Sequence, residues 1–210
     1  MTISLKLIDT LPDIINKINQ ALAKEINILI SKRKSLINNK FKPSIKKWIL
    51  NQPEIQSLRS VGVQGSLAAL FGLTTINADE AISKIINAVI DSSYIDFSKI
   101  NNNLTGNIIF NFQPSDFANL LSLSEGHRTT NKGSDLHWLD WLLTKGNTTI
   151  IINYHYEPSN KGIAKGGTMT TGGSFRVDPQ FAGTLDNNFI TRAFNGREKE
   201  VENILRGLLQ

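Results

Sequence analysis

The chain has 210 residues, of which 40% are hydrophobic and 20% are charged. That length and apolar content are enough for a domain of ordinary size with its own core. The absence of cysteine excludes disulfides, thiolate-bound metal ions and thiol nucleophiles. Apolar runs fall far short of the ~20 residues needed to cross a bilayer, and no signal-peptide pattern is visible. The composition therefore predicts a protein that is made in the cytoplasm and has no membrane contact.

The basic character of the chain is confined to its N-terminal segment. The formal net charge is +5, but the first 60 residues carry +7 and the remainder carries −2. A basic arm can bind nucleic acid or an acidic partner, or it can simply be solvated. Six lysines could meet phosphates: Lys32, Lys34, Lys40, Lys42, Lys46 and Lys47. Without alternating exposed aromatics or a recognition-helix pattern, a solvated basic face is favoured and nucleic-acid binding is the alternative.

A long amphipathic helix is predicted near the N-terminus. Thr10, Pro12 and Asp13 are typical of a helix start, with a capping hydroxyl, an early proline and an acid in the first turn. Apolar side chains then recur every three or four residues and form one stripe: Leu11, Ile15, Ile18, Leu22, Ile26 and Leu29. We expect the helix to extend to about Ile37. Because this is longer than a compact core requires, part of it is expected to pack on another chain.

Shorter helices are predicted next. Pro43 and Pro53 are expected to separate helical segments at 44–50 and 54–59, and further helices are expected at 66–71 and 78–91. Residues 1–92 are accordingly interpreted as a helical N-terminal region that supplies a basic arm and an interface.

Residues 93–210 are interpreted as an α+β domain. The runs Tyr94–Lys99 and Asn107–Gln113 flank a turn-rich loop and predict an antiparallel hairpin. The next expectations are a helix at 115–121, a loop at 122–134 with room for one short strand, a helix at 135–143 and a strand at 148–157. After these come a mobile loop at 158–174, a short strand at Ser174–Val177, a helix from Thr184 or Asp186, and a last helix at 197–209. The predicted class is α+β, with long N-terminal helices, a small antiparallel sheet packed with a helix, and a C-terminal helix.

No enzyme motif is found along the chain. The segment 158–174 holds five glycines, but Gly162 and Gly167 are followed by Thr168 and not by the lysine of a phosphate-binding loop. No serine lies in a nucleophile motif, and no pair of carboxylates forms an acid–base couple. We expect no catalytic activity, no cofactor and no small-molecule substrate.

The three histidines, His127, His137 and His155, are interpreted as ordinary polar surface. On a helix over 135–143, His137 would share a face only with Asp140. Two ligands do not make a metal site, so none is expected. Trp138 and Trp141 lie three residues apart in the same apolar segment, and they are expected in the core or at a subunit interface instead of in a stacking platform.

From Leu104 onward the chain resembles head–tail connector proteins of tailed bacteriophages, in particular the tail-completion (neck) group. The matching segments are residues 135–143, which lead into the strand 149–157, then the loop 158–174, and finally 178–184 and 187–194. The resemblance implies N-terminal helices, a small antiparallel sheet crossed by a helix, and a C-terminal helix. It also implies a ring of identical subunits between the portal or adaptor and the tail.

The resemblance implies a virion protein, assembled in the host cytoplasm, that acts without catalysis. Its partners would be itself, as a hexamer or dodecamer, and neighbouring neck and tail proteins, with possible contact to packaged DNA. A tail terminator or baseplate component is a near variant, and a basic nucleic-acid-binding accessory protein is the alternative. The expected interaction residues are Ile18, Leu22, Lys32, Arg33, Lys34, Trp138, Trp141, Lys161, Lys165, Met169 and Phe189.

Overall fold

The computed structural model describes residues 8–114, 116–129, 133, 135–162 and 164–209. It confirms the α+β class, with a long N-terminal helix, small antiparallel sheets and a C-terminal helix. The chain divides into two compact units. Unit 1 comprises Met1–Lys40 and Tyr94–Asn111, and unit 2 comprises Phe41–Ser93 and Phe112–Gln210. The chain thus passes between the two units three times, after Lys40, Ser93 and Asn111.

Helix α1 spans Leu11–Leu50, which corrects the expected end near Ile37. Pro43 lies inside the helix and does not end it, although its ring nitrogen cannot donate to the carbonyl of Asn39. The side chains that follow explain why the helix continues. Ile45 and Trp48 are each 1% exposed and Ile49 is 0% exposed, so continuing the helix beyond Pro43 buries three large side chains. That burial outweighs the single lost hydrogen bond.

Unit 1 also contains a two-stranded sheet. Strands β1 (Tyr94–Phe97) and β2 (Ile108–Asn111) pair antiparallel, and Ile95 faces Phe110 across the ladder. The hairpin predicted from the alternating pattern is therefore confirmed, with strands shorter than expected.

Three helices follow α1 in unit 2, and each agrees closely with prediction: α2 (Pro53–Arg59), α3 (Leu67–Leu70) and α4 (Thr75–Ser92). Side chains cap the N-termini of α3 and α4, whereas Gln52, which precedes α2, makes no such hydrogen bond. The hydroxyl of Ser66 accepts from the N–H of Ala69, and that of Thr74 accepts from the N–H of Asn77. The cap of α4 is thus Thr74, and the helix begins three residues before the predicted start at residue 78.

The middle of unit 2 differs from the expected helix at 135–143. Helix α5 (Ala118–Leu121) and a 3₁₀ turn (Ser124–Gly126) precede two short antiparallel strands, β3 (Arg128–Thr129) and β4 (Asp135–Leu136). Helix α6 begins only at Trp138 and ends at Leu143. Ser115, at the start of the predicted helix 115–121, and Thr130–Lys132 and Ser134, in the predicted loop 122–134, lie outside the described residues.

The glycine-rich segment is mostly a strand, which corrects the mobile loop expected at 158–174. Strand β5 (Ile151–Pro158) pairs antiparallel with β6 (Gly167–Phe175), so only residues 159–166 connect them. The register shifts between Ile152 and Tyr154, where Asn153 adopts a positive φ of 66°. Opposite this bulge, Gly172 and Gly173 have φ values of 105° and 73°. The positive φ values of these glycines therefore allow β6 to remain paired with β5 on both sides of the bulge, and the segment does not form a loop.

Two helices end the described chain, α7 (Phe189–Phe194) and α8 (Glu198–Leu209). The expected start at Thr184 or Asp186 is wrong, because the buried side chain of Asn188 caps α7 by accepting from the N–H groups of Ile190 and Thr191. No helix among the described residues is long and apolar enough to span a membrane.

The core of unit 2 is built around aromatic side chains from distant parts of the chain. The ring of Phe194 packs edge-on against Trp48 at 5.8 Å between centroids and stacks on Phe112 at 4.4 Å. Phe71 stacks on Trp138 at 5.3 Å. The indole N–H of Trp48 donates to Glu200, which joins the last turns of α1 to α8 and lowers the pKa of that carboxyl.

Candidate assembly interface

The N-terminal half of α1 carries an exposed apolar face. Leu11 is 69% exposed, Ile18 is 53% exposed and Leu22 is 45% exposed. The full set of exposed leucines and isoleucines on this face is Leu11, Ile15, Ile18, Leu22, Leu29 and Leu36. Their spacing of three, four or seven residues keeps them in one stripe. The two expected contact residues of this region, Ile18 and Leu22, both lie in the stripe, which is called the α1 apolar face below.

The opposite side of α1 is fastened to the β1–β2 hairpin by polar contacts. The side-chain amide of Asn27 accepts from the N–H of Ile100 at 2.9 Å and donates to its carbonyl at 3.0 Å. Asn38 does the same for Ile95, at 2.7 and 3.4 Å. At about 100° per residue, Asn27 and Asn38 lie on the far side of the helix from Ile18 and Leu22. The hairpin therefore leaves the α1 apolar face uncovered.

The basic residues expected at the interface lie near the end of the unit 1 part of α1. Lys32 is exposed, and Arg33 and Lys34 are half-buried. The ammonium of Lys34 lies 2.7 Å from Oδ1 of Asp96 in β1, and this contact lowers the pKa of Asp96. Lys34 is thus committed to an ion pair within unit 1, whereas Lys32 is exposed to water beside the α1 apolar face.

The aromatic residues expected at the interface divide into core and surface. Trp138 and Phe189 are completely buried, so in this chain their contribution is to internal packing. Trp141 is half-buried and its indole N–H donates to the hydroxyl of Thr148 at 3.1 Å. Of the three aromatic rings, only that of Trp141 reaches solvent.

The last three expected residues lie on the β5–β6 hairpin. Lys161 and Lys165 are exposed in the connection between the strands. Met169 is 37% exposed in β6 and borders a cleft of about 380 Å³ that is also lined by Phe71 and Tyr156. The hydroxyl of Tyr156 donates to the carbonyl of Gly166 at 2.6 Å and accepts from the N–H of Gly65 at 3.0 Å. These bonds hold the connection against the segment before α3.

Sequence reasoning missed one arrangement of potential functional groups. Nδ1 of His127 lies 3.1 Å from Oδ2 of Asp135, and Nε2 of His137 lies 2.9 Å from the same oxygen. The two imidazole rings are 3.8 Å apart between centroids. The expected helix paired His137 with Asp140, whereas the observed strand β4 places Asp135 and His137 on one face, with period two. A signal was available in the sequence, since Asp135-Leu136-His137 also fits a strand.

A second arrangement missed by sequence reasoning is a buried ion pair. Glu54, in the first turn of α2, is completely buried, and its Oε1 accepts from the guanidinium of Arg192 in α7. Burial raises the pKa of Glu54 above its ordinary value, against the opposing influence of Arg192. No sequence pattern connects these positions, which are 138 residues apart.

The chain matches no protein-family model, no curated protein and no solved structure.

Proposed function

We propose that this chain is a structural protein of a tailed-phage virion that acts by assembly and not by catalysis, as part of an oligomeric ring at the head–tail junction. A tail terminator or a baseplate component is a near variant of the same proposal. The observation that carries it is the α1 apolar face. Leucine and isoleucine side chains in water are normal when scattered, but a contiguous row on one helix marks an interaction surface.

The spacing of the row favours another helix as its occupant. Ile15, Leu22, Leu29 and Leu36 recur at intervals of seven, which is the repeat by which two helices pack along their length. Each apolar side chain that becomes fully buried contributes about 1.5–3 kcal/mol, and six such side chains are available. Burying this row against a partner would therefore be strongly favourable, so we interpret the row as one half of an interface.

Charges beside the row favour a second copy of the chain as the partner. Glu25 and Lys32 are exposed and continue the line that begins with Leu11 and Ile18 at seven-residue spacing. An acid and a base at successive positions let a second copy bring its lysine to this glutamate. A homo-oligomer, such as the hexameric or dodecameric ring of the proposal, supplies such a partner without any other protein.

The first experiment compares self-association of the full chain by sedimentation equilibrium. The double variant Ile18→Gln/Leu22→Gln is expected to weaken association by at least about 10-fold, since the two changes together remove more than ~1.4 kcal/mol of apolar burial. The matched control is Ile76→Gln/Ile152→Gln, which alters two side chains that are 78% and 73% exposed and lie off α1. An oligomer that both variants leave intact, or a chain that stays monomeric throughout, would contradict an assembly role for the α1 apolar face.

The second experiment tests the virion. Mass spectrometry of particles purified from a lysate of the source strain is expected to find the chain at a small copy number relative to the major capsid protein. Absence of the chain from the particles would overturn the structural proposal.

The alternative function, nucleic-acid binding by the basic arm, makes a different prediction. DNA affinity would then fall steeply with salt, because each neutralised phosphate releases counterions. Replacing the exposed Lys42, which lies outside the α1 apolar face, would reduce that salt dependence and leave self-association unchanged. This alternative would be favoured if the DNA affinity of the chain depended steeply on salt and the chain were absent from the particles.

A further inference from the structure

We propose that His127, Asp135 and His137 form a binding site for a divalent transition-metal ion of the Zn²⁺ type, which goes beyond the assembly role proposed above. The three residues belong to one small hairpin. Asp135 lies in β4 and His137 follows two residues later. His127 immediately precedes β3, whose register places it opposite His137.

The three potential ligand atoms lie close together. Nδ1 of His127, Oδ2 of Asp135 and Nε2 of His137 all lie within 4.8 Å of one another. Two donors bound tetrahedrally to one Zn²⁺ at about 2.0–2.1 Å are about 3.3 Å apart. The observed 3.1 and 2.9 Å distances to Oδ2 are therefore within a few tenths of an ångström of the spacing that the ion requires.

The orientation of His127 fits that of a metal ligand. Its Nδ1 faces the carboxylate of Asp135, and its other ring nitrogen, Nε2, lies 3.4 Å from the backbone carbonyl of Leu121. With an ion bound to Nδ1, the proton on Nε2 would donate to that carbonyl. A histidine that donates one N–H to a carbonyl and turns the other nitrogen inward is the arrangement by which proteins orient metal ligands.

The close approach of the two rings lets one metal ion reach both imidazoles. Their centroids are 3.8 Å apart, and each ring has a nitrogen close to the same carboxylate oxygen of Asp135. One divalent cation satisfies both neutral imidazoles and the carboxylate at once. Two nitrogen donors and one oxygen donor suit Zn²⁺, Co²⁺ or Ni²⁺ better than Mg²⁺ or Ca²⁺, which prefer oxygen alone.

The site leaves coordination positions open. Within the described residues the group has these three members, so a four-coordinate ion would complete its shell with water or with an atom from outside the chain. A cavity of about 280 Å³ adjoins His127 and is lined on its other sides by Glu80, Glu125 and Arg128. This cavity gives an external ligand access to the hairpin.

The test uses the untagged full chain, because a histidine tag would itself bind the probe. Zinc chloride is titrated calorimetrically and by competition with a chromophoric chelator. We expect one Zn²⁺ per chain and a rise in the thermal midpoint, since an ion that binds only the folded hairpin stabilises it. His127→Ala, His137→Ala and Asp135→Asn are each expected to weaken binding at least about 100-fold, more than loss of an orienting partner alone. The control His155→Ala removes the third histidine, whose Nδ1 lies 2.9 Å from the carbonyl of Gly172, and should bind as the unmodified chain does.

A second measurement identifies the ligand atoms without any variant. Nitrogen-detected NMR of the imidazoles is expected to show Zn²⁺ on Nδ1 of His127 and on Nε2 of His137, with the resonances of His155 unchanged. The proposal is overturned if Zn²⁺ does not saturate at one ion per chain, if the three ligand variants bind as well as the His155 control, or if the shifted nitrogens belong to other histidines.

Discussion

The guanidinium of Arg192 donates to a carboxylate oxygen of Glu54 that has no contact with solvent. The second carboxylate oxygen, Oε2, has no hydrogen-bond partner in the described part of the chain. The pair joins α2 to α7 inside unit 2 and leaves the charge of Glu54 dependent on a single cation.

Removal of that cation is expected to destabilise the fold. Breaking a buried pair by deleting one partner costs roughly 3–5 kcal/mol, and we expect about 2–3 kcal/mol for Arg192→Ala because this arginine is about one-third exposed. Urea unfolding measures the loss. The control Arg206→Ala breaks an exposed i,i+4 pair with Glu202 and should change the free energy of unfolding by less than about 0.5 kcal/mol. Equal effects of the two variants would show that Glu54 does not depend on its partner.

The pH dependence of stability follows from the raised pKa of Glu54. Because the folded chain holds this proton more tightly than the unfolded chain does, the group's contribution to stability is complete below the ordinary pKa of 4.5. It is lost as the pH rises from there through the folded pKa. Measured against Glu54→Gln, which cannot ionise, the unmodified chain should lose stability as the pH rises above the ordinary pKa of 4.5. A relative gain over that range would mean that Arg192 outweighs burial.

The buried cap of α7 gives a third prediction. Oδ1 of Asn188 accepts two backbone N–H groups, at 3.0 Å each, and Nδ2 donates to the carbonyl of Thr184 at 2.8 Å. Asn188→Ala should cost about 2–3 kcal/mol, since it removes the cap and leaves buried polar groups unpaired. Asn188→Ser keeps a capping oxygen and loses the amide donor without adding a charge, so its cost in urea unfolding should be intermediate. A cost for Ser as large as that for Ala would contradict the capping role.

How far the sequence predicts this structure depends on whether the deciding interaction is local. The β1–β2 hairpin and helices α2 to α4 follow from periodicity, caps and turns, which act within a few residues. The prediction that the helix ends before Pro43 was wrong because the burial of Phe41 and Trp48 in unit 2 stabilises the helix there. The prediction of a loop around Gly172 and Gly173 was wrong because the role of these glycines depends on a bulge about 20 residues earlier, in β5.

The candidate sites divide in the same way. The exposed stripe that includes Ile18 and Leu22 could be predicted, because helical spacing alone places it on one face. The burial of Phe189, the ion pair of Glu54 and the convergence on Asp135 could not, because each depends on which elements pack together.

The contact between Gly167 and the ring of Tyr156 gives a fourth prediction. A Cβ at position 167 would lie between 2.4 and 2.6 Å from three atoms of that ring. Gly167→Ala should therefore displace Tyr156, break its bonds to Gly65 and Gly166, and cost about 1–3 kcal/mol. The control is Gly207→Ala in α8, where nothing lies within 4 Å. It should stabilise the helix by roughly 0.5–1 kcal/mol. A neutral result at position 167 would show that the ring can shift freely.

The two asparagines that fasten α1 to the β1–β2 hairpin can be tested one against the other. Asn27 and Asn38 lie eleven residues apart, about three helical turns, and each holds both backbone groups of one residue, Ile100 and Ile95 respectively. Asn27→Ala should speed hydrogen exchange of the Ile100 amide by about 10-fold, equivalent to ~1.4 kcal/mol, because that N–H loses its acceptor. Asn38→Ala should do the same for Ile95, and each variant is the other's control. If both variants accelerated the exchange of both amides equally, the hairpin would open as one unit. This result would exclude independent protection of Ile100 by Asn27 and of Ile95 by Asn38.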